Sequence, residues 1–186
     1  MKGLAAAMVL VPAIAAAEPA AERTALCESC HGKDGNSTTA KTPSIAGQPV
    51  TYLENQLVYF REELRNAPVM QAVAKGMKDE EITAFARYFS ARAAKPSPTR
   101  PPDAAVTEQG RALVEKLHCG QCHLPELRGR DQMPRLAAQR EDYLLDAMVG
   151  YRDGKRTGAD TTMTEVLYGV SDADLQALAA YVSQLP

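Results

Sequence analysis

Cys27-Glu28-Ser29-Cys30-His31 and Cys119-Gly120-Gln121-Cys122-His123 both read C-x-x-C-H. They use all four cysteines of the 186-residue chain and two of its three histidines. C-x-x-C-H is the attachment signature of c-type haem. The two thiols are spaced to add across the two vinyl groups of one porphyrin. The histidine follows at once, which sets its imidazole beneath the iron as an axial ligand. The pair of motifs therefore implies two covalently bound haem c groups. Cys27, Cys30, Cys119 and Cys122 are the expected attachment residues, and His31 and His123 the expected iron ligands. Electron transfer is the expected function.

Other uses of four cysteines fit less well. A redox C-x-x-C goes with a thioredoxin-like βαβ pattern, and no strand-rich stretch flanks either motif. A single zinc on four thiolates leaves both adjacent histidines unexplained. Structural disulfides also suit an exported protein, but here the full five-residue motif occurs twice.

The N-terminus agrees. Lys2 is the only charge before Glu18, and Leu4 to Ile14 is an apolar run that ends in Ala15-Ala16-Ala17. A basic start, an apolar core and an A-x-A-like end predict a secretory signal peptide over residues 1–17. The run is short for a transmembrane span, and an uncleaved anchor is the competing reading. Export to the periplasm suits the chemistry, because bacterial c-type haem is attached outside the cytoplasm.

Charge narrows the partners. The chain carries 21 Lys+Arg against 23 Asp+Glu, and loss of Lys2 with the leader leaves 20 against 23, a net charge of −3. Haem propionates would add negative charge. There is no basic block, so neither nucleic acid nor an anionic membrane surface is an expected partner, and membrane association is at most peripheral.

Aligning the two motifs exposes an internal repeat of about 92 residues. Pro43-Ser44-Ile45-Ala46-Gly47-Gln48 answers Pro134-Arg135-Leu136-Ala137-Ala138-Gln139, and Tyr52-Leu53 answers Tyr143-Leu144. Phe60-Arg61 answers Tyr151-Arg152, and Ala86-Arg87-Tyr88 answers Ala179-Ala180-Tyr181. Two similar halves imply two similar domains, 18–95 and 104–186. Between them, residues 96–103 are Pro-rich, and proline's fixed φ and missing donor make this stretch a semi-rigid extended connector.

Each half reads as helical, and the fold class is all-α. Residues 107–118 lead into the second motif at helical spacing. Residues 51–64 and 141–151 form a second amphipathic segment, and 79–92 and 172–184 a third. Ile82, Phe85, Ala86 and Phe89 follow the i, i+3, i+4, i+7 pattern, as do Leu175, Leu178, Ala179 and Val182. Ser171 with Asp174 resembles a capping pair. Domains of this size build poor cores alone, and a haem in each half supplies an apolar plate to pack around.

The second axial ligands are proposed from the repeat. A methionine thioether favours ferrous iron and raises the potential. Beyond the leader stand Met70, Met77, Met133, Met148 and Met163, and only Met70 and Met163 match across the halves. Met77 matches Val170, Met148 matches Leu57, and Met133 has no counterpart. Met70 and Met163 are therefore the expected sixth ligands. His118 is the rival, but its neighbour Cys119 ties it to the His123 side of the porphyrin. The carbonyls of Pro43 and Pro134 are candidates to accept Nδ1–H from the axial histidines, with a plain turn as the alternative. Arg61, Arg152 and Arg156 are candidate propionate partners, unless they are simply exposed helix-end arginines.

These motifs together resemble cytochrome c4 and related dihaem cytochromes c. The likeness rests on C-x-x-C-H-G/L, P-x-I/L-A-G/A-Q, the tyrosine-led middle helix, the methionine before the final turn and the A-x-Y-(V/F)-S endings. Tyr151-Arg152-Asp153-Gly154-Lys155-Arg156-Thr157 followed by Met163 carries it most closely, while the first half approaches Met70 by a shorter route, Glu62 to Pro68. The resemblance implies two tandem class I cytochrome c domains related by a pseudo-two-fold axis. It also implies a periplasmic carrier that passes electrons one at a time between redox proteins, towards a membrane-bound terminal oxidase. The alternative is an electron-accepting subunit of a flavin-type dehydrogenase complex. An enzyme such as a dihaem peroxidase would need an iron with an open sixth position, against which the matched methionines argue.

Overall fold

The computed structural model describes residues 19–96, 102–158 and 161–186. The expected leader over 1–17 lies outside the described residues, as do residues 97–101 of the connector. The first half holds α1 (Ala21–His31), a 3-10 turn (Lys33–Gly35), α2 (Val50–Arg61), α3 (Pro68–Ala74) and α4 (Asp79–Ser90). The second holds α5 (Ala104–Lys116), α6 (Cys119–His123), α7 (Glu141–Arg152), α8 (Thr162–Leu167) and α9 (Asp172–Ser183). Among the described residues there is no strand, only an isolated bridge between Arg130 and Met133. Nor, among them, is any helix long and apolar enough to cross a membrane.

The helical stripes bury as their spacing requires. Ile82, Phe85, Ala86 and Phe89 of α4 meet Leu53 and Phe60 of α2, Ala74 of α3 and Met77 in one core. In the second half Leu144 of α7 meets Ala179 and Val182 of α9, and Leu167 of α8 meets Leu175 and Leu178. Each leucine, isoleucine, valine, phenylalanine or methionine among them contributes about 1.5–3 kcal/mol on full burial. Helix starts are fixed locally. Ser171 Oγ accepts from Asp174 N at 3.1 Å to cap α9, and Asp103 Oδ1 accepts from Val106 N at 2.9 Å to cap α5.

Two of the candidate propionate partners have another task. Arg61 Nη1 donates to Met77 O at 3.0 Å and pairs with Asp79 at 2.7 Å. Arg152 Nη1 donates to Val170 O at 3.1 Å and pairs with Asp172 at 2.5 Å. Each arginine thus ties the end of the middle helix to the first residue of the last one, α4 or α9. The repeat preserved a structural strut here, and both guanidiniums are already matched to carboxylates.

The halves differ most in their first helices. α1 begins 6 residues before Cys27 and runs through the motif, whereas α5 begins 15 residues before Cys119. α5 crosses α9 closely at Gly110, where an added Cβ would lie 2.4 Å from both Ala177 O and Tyr181 Cβ. Only glycine admits that approach. After α5 the chain breaks at His118, which has a left-handed φ of 54°, and restarts as α6.

Candidate functional site: two histidine cradles and their interface

Within each C-x-x-C-H the cysteines and histidine share one face of a helical turn, because residues three and four apart lie together. His31 ends α1 and His123 ends α6. Both imidazoles are buried, with 7% and 5% of their surface exposed. Burial therefore pushes both below the ordinary histidine range, and the carbonyls of Pro43 and Pro134 oppose it only in part. His31 Nδ1 lies 2.8 Å from Pro43 O, and His123 Nδ1 lies 2.8 Å from Pro134 O. A carbonyl can only accept, so Nδ1 carries the proton in each ring and Nε2 keeps its lone pair.

A double hydrogen bond sets the proline loop. Ile45 N and Ala46 N both donate to Gly35 O, at 2.8 and 3.0 Å. Leu136 N and Ala137 N do the same to Leu127 O, at 2.8 and 3.1 Å. The turn after each motif is tight. A Cβ at Gly32, with φ of 78°, would lie 2.0 Å from Asn36 O. In the second half Leu124 holds the matching place with φ of 68° and ψ of 158°.

In the first half these groups open on a cavity of about 540 Å³, lined by Cys27, Cys30, His31, Met70, Phe60 and Phe85 among others. Met70 enters it from α3, whose first residue is Pro68, a position where proline's missing donor costs nothing. Met163 stands on α8, half-buried against Leu167, Leu175 and Leu178. Both methionines precede the last helix by nine residues, since α4 starts at 79 and α9 at 172. Met77 is buried in the first core, although it too lines the cavity, and Met148 packs into both clusters of the second half. His118 is exposed at its turn. The short helices α3 and α8 were not legible in the sequence, being too brief for periodicity to register.

None of the four cysteines is paired in a disulfide; Cys30 and Cys122 are exposed and Cys27 and Cys119 half-buried. Burial pushes the Cys27 and Cys119 thiols up. No group of three His, Cys, Asp or Glu side chains converges among the described residues. The residues do fit a haem. His123 Nε2 is buried with no hydrogen-bond partner, and an orphaned buried acceptor costs about 1–3 kcal/mol. Iron coordination would satisfy it, and the apolar lining would enclose a porphyrin.

The halves meet beside both cradles. Gln139 Nε2 donates to Ser44 O and its Oε1 accepts from Ser44 N, each at 2.8 Å. Gln48 returns the pair to Arg135 O and Arg135 N, at 2.8 and 2.9 Å. Thr157 Oγ1 donates to Leu64 O at 2.7 Å, and Lys41 N donates to Asp142 Oδ2 at 3.0 Å. Further along the interface Tyr143 OH accepts from Arg65 at 3.2 Å and from Arg156 at 3.3 Å, and Arg156 reaches Tyr52 OH at 3.5 Å. Burial pushes both phenols up. On Tyr143 the fields of Arg156 and Arg65 win and bring it below the ordinary range, whereas Tyr52 stays high. Neither Arg65 nor Arg156 has a carboxylate partner among the described residues, and both line the cavity. The sequence pointed to Arg156, but Arg65, the two tyrosines and the two glutamines became visible only once the interface was known.

Helical packing around two buried, Nδ1-anchored histidines of C-x-x-C-H motifs defines a dihaem c-type cytochrome. Comparison with known proteins agrees. A family model described as Cytochrome c matches residues 107–186. The chain is 32% identical over 182 residues to a thiosulfate dehydrogenase electron acceptor of Thiomonas intermedia, covering 92% of this chain and 82% of that protein. It is 30% identical over 191 residues to cytochrome c4 of Stutzerimonas stutzeri, covering 91% and 89%. The crystal structure of reduced recombinant cytochrome c4 from Pseudomonas stutzeri superposes with a TM-score of 0.80 at 29% identity, over 89% of this chain and 96% of that one. The chain belongs to the cytochrome c4 family, electron-transfer cytochromes with covalently bound haem c.

Proposed function

We propose that residues 18–95 and 104–186 form one haem domain each, joined by 96–103, and that the leader 1–17 is removed on export to the periplasm. Cys27 and Cys30 bind the first porphyrin and Cys119 and Cys122 the second. His31 with Met70, and His123 with Met163, are the axial pairs. The observation that carries this reading is the twin 2.8 Å contact from His31 and His123 to proline carbonyls, which leaves each Nε2 free to ligate. When bound, each haem supplies one-electron exchange between ferric and ferrous iron. The chain's own part is to hold two preformed axial groups in a closed apolar site, so that little rearrangement opposes transfer. Arg65 and Arg156, unmatched by carboxylates among the described residues, are candidates to pair with propionates. No chemistry beyond electron carriage is assigned to the chain, and its acceptor is a redox protein such as a terminal oxidase.

Two measurements test this. The pyridine haemochrome assay should give two c-type haems per chain that acidified acetone does not extract, and a single or extractable haem would refute the duplication. The ferric protein should show the weak long-wavelength charge-transfer band of sulfur ligation. Met70→Ala and Met163→Ala should each remove about half of it, following from one thioether per iron. Halving by Met77→Ala with no effect of Met70→Ala would move the first-domain assignment.

A second reading draws on the relative named as a thiosulfate dehydrogenase electron acceptor. Here the protein accepts electrons from a dehydrogenase to which it binds stably. A stoichiometric complex on native gels would favour this reading, and exchange without one the free carrier.

A further inference from the structure

Two glutamines link each histidine cradle to the other half of the molecule. Gln48 and Gln139 are both buried at 3% exposure. Each amide forms a two-bond ring with the backbone of the residue after the opposite half's cradle proline. Amide orientation is fixed, because a backbone N–H only donates and a carbonyl only accepts. Gln139 Oε1 also accepts from Arg140 N at 3.0 Å.

The peptide unit between Pro43 and Ser44 is therefore engaged at both ends. Its carbonyl faces His31 Nδ1 at 2.8 Å, and its N–H donates to Gln139 Oε1 at 2.8 Å. The unit between Pro134 and Arg135 repeats this, with His123 Nδ1 at 2.8 Å on one end and Gln48 Oε1 at 2.9 Å on the other. Hydrogen bonds in series polarise one another. A peptide whose N–H is donated presents a more negative oxygen. That oxygen draws harder on the imidazole N–H and makes the ring a more basic ligand. A more basic ligand favours ferric iron and lowers the potential.

We propose that Gln48 and Gln139 are positioning residues that act crosswise: each half sets the axial-histidine hydrogen bond, and with it the reduction potential, of the other half's haem. This rests on the reading of His31 and His123 as axial ligands. It gives the domain interface a redox role besides adhesion, since loosening either glutamine ring alters the opposite centre.

The test uses the full-length dihaem protein with Gln48→Leu and Gln139→Leu. NMR of the reduced, diamagnetic state follows the Nδ1–H protons of His31 and His123, assigned through neighbours in each half, beside a potentiometric titration. Gln139→Leu should move the His31 proton upfield and raise the first haem's potential, and Gln48→Leu should do so for His123 and the second haem. A shift confined to the variant's own half, equal shifts at both, or none would overturn the proposal. If a leucine variant fails to hold two haems, Gln139→Glu and Gln48→Glu keep an accepting oxygen. Their crossed histidine proton should stay in place or move downfield, and upfield movement would overturn the proposal. If wild type shows no haem-shifted ring protons from His31 and His123, the ligation reading itself fails. Wrong or absent crossing with normal ligation sinks only the present inference.

Discussion

The crossing of α5 over α9 offers a quantitative test of the second domain. In Gly110→Ala the new Cβ starts 2.4 Å from Ala177 O and from Tyr181 Cβ, where ordinary contact begins at 3.4 Å. The helices must part by 1.0 Å, from 3.4 minus 2.4, because neither obstacle is the free end of a flexible side chain. A gap of about 0.5–1 Å forfeits a quarter to a half of each neighbouring contact's attraction. Overpacking of this kind costs about 1–3 kcal/mol, and the two rigid obstacles place it near the top of that range. Alanine's better helix propensity returns about 1 kcal/mol. The net loss is about 1–2 kcal/mol, which lowers the melting midpoint of a domain this size by about 5–15 °C. Thermal unfolding of the oxidised holoprotein, followed by Soret dichroism, measures it. An unchanged or raised midpoint would refute the close crossing, since propensity would then be the only effect at work.

Three further outcomes are expected. Leu124→Gly should raise the melting midpoint, because φ of 68° with ψ of 158° is nearly reserved for glycine and costs other residues about 1–3 kcal/mol; calorimetry showing a clear drop would mean that leucine packing dominates. Asp142 titrates below the ordinary carboxylate value of 3.8: burial raises it, but Arg140 and the Lys41 N–H together lower it more. Its contribution is therefore full above the unfolded value and is lost as pH falls through the depressed folded one. Asp142→Asn should flatten that acid limb in urea titrations run at successive pH values, and an unaltered limb would sink the assignment. Arg135→Leu should lower both haem potentials together in a redox titration, because a buried cation favours the reduced state, and a shift in one haem alone would contradict its central placement.

Most of each half was readable from residue types and spacing. The four-residue stripes of α4 and α9 bury as written, because periodicity reports a helix face whatever it packs against. The proline carbonyls also meet the histidines as the matched prolines suggested. Where the sequence left a choice open, one residue type could serve two ends. Arg61 and Arg152 match across the repeat just as a propionate partner would, yet they brace the last helices against Asp79 and Asp172. Gln48 and Gln139 match equally well, but their partners lie 87 and 95 residues away in the chain. No local pattern encodes such a pairing. It follows only from how two copies of one fold are set face to face.

That arrangement bears on how the two haems come to differ. Counted along the chain, residues 18–95 carry ten charges of each sign, while 96–186 carry ten positive and thirteen negative. By charge alone the second haem should have the lower potential, but exposed charges are screened within about 8–10 Å at ordinary salt. A buried charge breaks the repeat: Arg135, 7% exposed, stands where the first half has Ser44. Burial, with some push from Arg128, lowers its guanidinium to about 10, so it remains cationic at neutral pH. Its Nη2 donates to Ala46 O at 3.0 Å and its Nη1 to Ala137 O. Ala46 and Ala137 each stand three residues after their cradle proline, so the cation sits between matched points of the two halves. A residue found in only one copy is thereby placed to raise both potentials. The difference between the haems is left to the weaker surface asymmetry and to features confined to one half, such as the Gln139 oxygen shared with Arg140 N. A duplicated fold can in this way shift the pair of centres together through its interface and separate them through its surfaces.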